Sequence, residues 1–338
     1  MLCRNLIVLI GFILFLSTQS VLAQTFKIAT LAPDNSDWLN KLKLAALSIK
    51  TQTNNRVKIK FYPGGVMGDD QTVLRKMRLG QLHGAAVTNG SLNKFYPDIQ
   101  VYNLAMKFTS LSEVDYVRSK MDKKLMQGLA KSRVVPMGFS EMGFAYLMSK
   151  GNPQNIADLR KYKTWIPEGN PLAETTMDTF NVPAIPLPIR DVLVGLQTGM
   201  IDTVAASPVG ALTLQWHNHV QYVLDMPLSY VFGVLILDKK SLNRLSGTDR
   251  QVVQNELAKV MSELDRKNRK DNTAALQALY KQGIKKIIMN AKAKSEFGSL
   301  VSVANKKIIS SSKISSASVN ELNTYLKEYR SVSKTNIN

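Results

Sequence analysis

Cysteine is almost missing from this chain: among 338 residues only Cys3 is found. It lies in the opening MLCRNLIVLIGFILFLSTQSVLAQ, ahead of an apolar run from Leu6 to Leu16. A positive charge at Arg4, that run, and Val21-Leu22-Ala23 before Gln24 have the form of a secretory signal peptide over residues 1–23. Its apolar core is too short to span a bilayer. Cys3 precedes the cut and cannot carry a lipoprotein's lipid, so a freely soluble periplasmic protein is expected. The exported part has no cysteine, which excludes disulfides and leaves the core to hold the fold. No later stretch approaches the roughly 20 apolar residues of a membrane helix. The length suits about two domains of ordinary size.

Acidic residues are also few, 25 against 44 Lys and Arg, for a net charge of +19. Such a balance raises nucleic acid or anionic lipid as partners. There is no run of five basic residues, however, and the densest cluster, Arg266-Lys267-Asn268-Arg269-Lys270, sits inside a helical stretch. A solvated lysine-rich surface, with no nucleic acid partner, accounts for it. Histidine is scarcer still: His83, His217 and His219. The pair His217-x-His219 has no Cys, Asp or Glu within four residues, so no metal site is implied. Asp69-Asp70 closes a glycine turn, where helix-start duty explains it better than acid–base chemistry. Gly-x-Ser-x-Gly and His-Glu-x-x-His are both missing. These gaps favour a binding protein without a cofactor over an enzyme.

What is present is an α/β alternation. FKIATL reads as a strand. Ser36 can cap a helix carrying Trp38, Leu42, Ala45, Ala46 and Ile49 at helical spacing, and RVKIKFY alternates as a half-buried strand. Strand, helix, strand at this length implies a parallel pair with a right-handed crossover. PGGVMGDD is a turn before a helix ending at Gly80; it lacks the Lys-Ser/Thr ending of a nucleotide loop. The alternation continues through VVPMGF, AYLMS, KTWIP, a helix from Pro171 to Phe180, IPLP, a helix over 191–197, MIDTVAAS and YVFGVLIL. A helical tract from Thr248 to Gln282 would reach roughly 50 Å, longer than one small domain is wide. It is expected to lie across two lobes that exchange strands. Beyond Ile287 the pattern weakens, with a last helix read over Val319 to Tyr329.

FYPGGVMGDDQTVLRKMRLGQLHGAAV (61–87), DLRKYKTWIPEG (158–169), PLPIRDVLVGLQTGMID (186–202) and LSGTDRQVVQNE (245–256) together resemble the solute-binding protein of a tripartite ATP-independent periplasmic (TRAP) transporter. The resemblance covers nearly all of residues 25–330. It implies a two-lobed α/β Venus-flytrap fold with crossing strands and a long hinge helix. One small-molecule ligand is then handed to membrane permease subunits. The lobes are expected over 24–143 with 231–271, and over 144–230 with 272–330, leaving a tail at 331–338. A monomer is expected.

In that family the strand before the proline reads Lys-x-Arg-hydrophobic-Pro, and the arginine grips the ligand's carboxylate. Here it reads Lys163-Thr164-Trp165-Ile166-Pro167. Indole brings apolar area and one N–H in place of a charge and a bidentate pair. Laid along the family pattern, Leu31, Phe144, Ala145, Tyr146, Pro167, Glu168 and Ile189 also line the cleft. Thr88, Asn89 and Ser207 serve as its polar partners. Trp38 and Trp216 are read as packing. The expected ligand is small and apolar or aromatic. Two alternatives stay open: a carboxylate binder using Arg190, Arg160 or Lys150, and a carrier of lipid-like molecules acting at a membrane surface.

Overall fold

In the computed structural model, which describes residues 23–335, strands and helices alternate from the first described residues. The leader read from the sequence lies outside that range, save Ala23. β1 (Gln24–Thr30), α1 (Asp37–Gln52) and β2 (Val57–Tyr62) form the first unit, with β1 and β2 parallel. Ser36 caps α1 by accepting the Leu39 N–H, and Leu42, Ala45 and Ile49 bury against Phe26, Ile28 and Val57. Asp69 caps α2 (Asp70–Arg78) by accepting the Thr72 N–H, and β3 (Gly84–Thr88) joins β1 in parallel. A 3-10 helix (Pro97–Asn103) leads to α3 (Leu111–Ala130), which has the capping pair Ser110 and Glu113.

β4 (Val134–Ser149) is the strand that crosses the molecule. The second lobe follows: α4 (Ile156–Leu159), β5 (Thr164–Pro167), α5 (Pro171–Phe180), β6 (Ala184–Leu187), α6 (Val192–Thr198), β7 (Thr203–Ala206), α7 (Pro208–Thr213) and β8 (Tyr222–Leu224). β9 (Ser229–Asp238) returns between β3 and β4, antiparallel to both. The sheet order is β2-β1-β3-β9-β4-β7-β5-β6. After α8 (Lys239–Asn243) come α9 (Gly247–Lys281), β10 (Lys285–Ile287), α10 (Ala291–Ser311) and α11 (Ser316–Thr335).

VVPMGF and AYLMS, read as two strands, are one. The register with β9 slips between Pro136 and Gly138 and between Glu141 and Gly143. Glycine at 143, with φ of +92°, supplies a backbone that other residues adopt only under strain. The two bulges bend β4 enough to serve both lobes, and they break the alternation that marks a strand in sequence.

The predicted long helix is α9, 35 residues from Gly247 to Lys281. It is bonded to the bend of β4. Asp265 accepts the Glu141 N–H at 2.6 Å, Asn268 donates to the Glu141 carbonyl at 2.8 Å, and Asn272 donates to the Met142 carbonyl at 3.0 Å. Glu141, 1% exposed, accepts from the Tyr230 hydroxyl and pairs with the Arg269 guanidinium, whose Nε lies at 3.0 Å. A carboxylate buried this deeply needs such donors.

The C-terminal region is more ordered than its serine-rich sequence suggests. α10 buries Ala293, Phe297, Val301, Ala304 and Ile308, a helical spacing hidden among lysines and serines. Residues 316–330, expected with the second lobe, lie in α11. That helix packs on α3 of the first lobe and runs on to Thr335 through part of the expected tail. Asp98 accepts the Ser315 N–H and the hydroxyls of Ser315 and Ser318, and Arg330 donates to both oxygens of Glu113.

Candidate functional site

Between the lobes, the segments that follow β3 and β5 approach one another, at the C-terminal strand ends where ligands of open α/β sheets bind. The facing rims are close. A Cβ built on Gly90 would lie 3.7 Å from Asn170 Nδ2, and one built on Gly169 would lie 3.5 Å from Gln71 Cγ. Gly90 and Gln71 belong to the first lobe, Gly169 and Asn170 to the second.

On the first-lobe side, half-buried Leu31 follows β1, its Cδ2 near the backbone of Gly65. Thr88 ends β3 and donates both its N–H (2.9 Å) and its hydroxyl (2.8 Å) to Asp70. Burial raises the Asp70 carboxyl above the ordinary range, against the donors from Thr88 and Ser91. Asn89 is fully buried and turns its amide toward the 3-10 helix, donating to the Ile99 carbonyl and to Asn103. Phe144 and Ala145, on β4 at the crossing, are 8% and 7% exposed, and Phe144 meets Tyr230 edge to face. Tyr146 is half-buried, and burial raises its hydroxyl's pKa.

On the second-lobe side, β5 and β6 pair from Thr164 opposite Ala184 to Pro167 opposite Leu187. Trp165 is 6% exposed. Its indole N–H donates to the Leu187 carbonyl at 2.9 Å, and its ring meets Trp216 edge to face. The donor that the sequence left for a ligand is thus engaged within the lobe. Pro167 is half-buried, Glu168 exposed, and half-buried Ile189 packs beside the Trp165 cluster. Ser207 caps α7 by accepting the Gly210 N–H.

The alternative cations are placed very differently. Lys150 donates to the Leu196 carbonyl at 2.5 Å, and Arg160 to the Phe180 carbonyl at 2.9 Å. Arg190 instead has its side chain 60% exposed and 3.8 Å from Asp191. Trp216 is buried, and Trp38 donates to Ser140 Oγ at 3.3 Å, as packing residues. His217 Nδ1 lies 3.2 Å from the Ala211 carbonyl.

A family model for bacterial extracellular solute-binding proteins, family 7, matches residues 28–311. The chain belongs to that family. This binding protein is 21% identical over 244 residues to the sialic acid-binding periplasmic protein SiaP of Vibrio cholerae, a match over 70% of this chain and 74% of SiaP. Its fold is that of solved TRAP periplasmic solute-binding proteins. One from Ralstonia eutropha H16, with (S)-2-acetolactate bound, gives a TM-score of 0.81 at 17% identity over 90% of this chain and 99% of that one. Another from Xanthobacter autotrophicus Py2, with β-D-galacturonate, gives 0.80 at 16% over 89% and 99%. The resemblance read from the sequence is borne out, and with it the two-lobed fold. The binding protein is a transport receptor, not an enzyme.

Gln71 and Asn170 stand at the facing rims and Asp70 holds Thr88, yet none of the three is among the cleft residues expected from the sequence. For Asp70 a signal existed: Asp69 alone caps α2, so its neighbour is left for another task.

Proposed function

We propose that this periplasmic protein captures a small, uncharged, apolar or aromatic ligand between its lobes and delivers it, as a monomer, to the membrane permease of a TRAP transporter. The ligand contacts proposed are Trp165, Leu31, Thr88, Asn89, Phe144, Ala145, Tyr146, Pro167, Glu168, Ile189 and Ser207. One observation carries the reading: β5 has indole where the family has guanidinium. The nearby basic residues Lys150 and Arg160 are spent on main-chain carbonyls. A carboxylate entering the cleft without a cation would forfeit a charge-assisted pair and keep its desolvation cost of several kcal/mol.

A second reading, a carboxylate binder using Arg190, is favoured by the acids held in related structures and by that residue's exposure. Calorimetry with pairs of one skeleton, as amide and as carboxylate, separates the two. The neutral members should bind more tightly, and Arg190→Ala should leave them unchanged. Tighter binding of the acids, lost in Arg190→Ala, would establish the second reading instead.

A further inference from the structure

Away from the cleft, a surface depression of about 500 Å3 opens where the segment after the 3-10 helix passes under α11. It is lined by Met106, Lys107, Asn323, Leu326, Lys327 and Arg330, with Ser331 at its edge. We propose that this depression is a second binding site, for a small oxyanion such as phosphate, held between the ammonium groups of Lys107 and Lys327.

The charge balance is one-sided. Arg330 already pairs with Glu113, to which it donates from Nε at 2.7 Å and Nη2 at 3.0 Å. Among the described residues, no carboxylate lies within ion-pair distance of Lys107 or Lys327. The Lys107 ammonium instead donates to a neutral amide oxygen, Asn323 Oδ1, at 2.9 Å. Lys107 is half-buried, and burial together with the positive charge of Arg330 draws its pKa below the ordinary lysine range. A cation desolvated beside another cation, with only a neutral acceptor, is stabilised by an incoming anion. Lys327, one helical turn from Asn323 and exposed, supplies the second charge.

The depression is also built on a fixed frame. Met106 has a left-handed backbone, φ of +54°, unusual for a side chain of its size. It is held there by its N–H to the Leu228 carbonyl at 2.7 Å. Ala105 and Asn305 exchange two hydrogen bonds, at 3.0 and 2.9 Å, and Arg330 donates to the Lys107 carbonyl at 2.8 Å. Lys107 is therefore presented by a segment tied to α10 and α11 and not by a loose loop. A strained residue held by its surroundings is a familiar accompaniment of binding sites.

Inorganic phosphate is the probe. Calorimetry on the purified protein, in sodium phosphate against sodium chloride of equal ionic strength, should give one saturable site. In protein with 13C-methylated lysines, the Lys107 and Lys327 signals should move with phosphate. Lys107 should then titrate at higher pH. Lys107→Gln combined with Lys327→Gln should weaken phosphate at least tenfold while thermal unfolding confirms the fold. Shifts shared by all surface lysines, a response that never saturates, or affinity retained in the double variant would each overturn the proposal. The cleft is elsewhere, so none of these results bears on the ligand proposed for it.

Discussion

Trp165 and Trp216 meet edge to face, their ring centroids 5.1 Å apart at 72°, while the Trp165 indole donates to the Leu187 carbonyl at 2.9 Å. Two tryptophans therefore pack together in the core of the second lobe, at the position where the TRAP resemblance implies an arginine. Under the proposed function, Trp165, with its N–H engaged, would offer a ligand ring area only. Trp165→Ala should lower affinity for the tightest neutral ligand of a screened panel by about 2–4 kcal/mol and stability by about 3–5 kcal/mol. Trp216→Ala should cost similar stability but less affinity. Calorimetry with urea unfolding on both variants distinguishes anchor from packing. Affinity unchanged in Trp165→Ala would leave packing as its whole role.

Restoring the family's residue is the converse experiment. Trp165→Arg puts a guanidinium against Trp216 with the Leu187 carbonyl as its near acceptor, which should destabilise the apo protein by several kcal/mol. It should weaken neutral ligands and create measurable affinity for small carboxylates. Added carboxylate should then raise the variant's melting temperature more than the wild type's, by mass action.

The crossing of β4 predicts a backbone effect. Gly143 has φ of +92°, and a Cβ there would lie 2.8 Å from the Asn272 side-chain amide. Gly143→Ala should cost about 2 kcal/mol or more from strain alone, because Asn272 cannot withdraw without releasing the Met142 carbonyl. Urea unfolding measures the loss, and small-angle scattering with ligand reads whether closure suffers with it.

Acid should loosen the attachment of α11. Burial alone would raise the Asp98 carboxyl, but the Ser315 N–H and the Ser315 and Ser318 hydroxyls outweigh it and hold it below the ordinary range. Glu113 is likewise lowered, by Arg330 and Thr109 acting against burial. A folded pKa below the unfolded one gives stability that is present above about pH 4 and lost as pH falls through the folded value. The stability gap between wild type and Asp98→Asn should therefore be full at pH 7 and shrink below about pH 4. Urea unfolding at pH 7 and pH 3 checks it.

The first lobe's β–α–β start, the cap at Ser36 and the 35-residue helix were legible because each is local: apolar spacing and a capping residue adjoin in sequence. The unity of β4 was not, since its continuity depends on bulges that only β9 reveals. α10 escaped because lysine and serine fill its outer face, although Phe297, Val301 and Ile308 keep the period. The docking of α11 on the first lobe was beyond reach for another reason: Asp98 and Ser315 are 217 positions apart. The tryptophan at 165, in place of the arginine that the TRAP resemblance implies, could be read from a strand motif. That the indole N–H is taken by Leu187 depends on the pairing of β5 with β6, which no local pattern gives.

The place of β9 bears on how the chain is made. It is an interior strand of the first lobe's half of the sheet, with β3 on one side and β4 on the other, yet it is the ninth of the described strands in chain order. Until residue 238 has emerged, β3 and β4 have no partner between them, and α9, whose Leu257 and Leu264 cover that face, comes later still. The lobe encoded first thus waits for a strand encoded after most of the second lobe's strands. That half of the sheet is closed only by long-range pairings, which are slow to form, a condition that suits a member of an extracellular family.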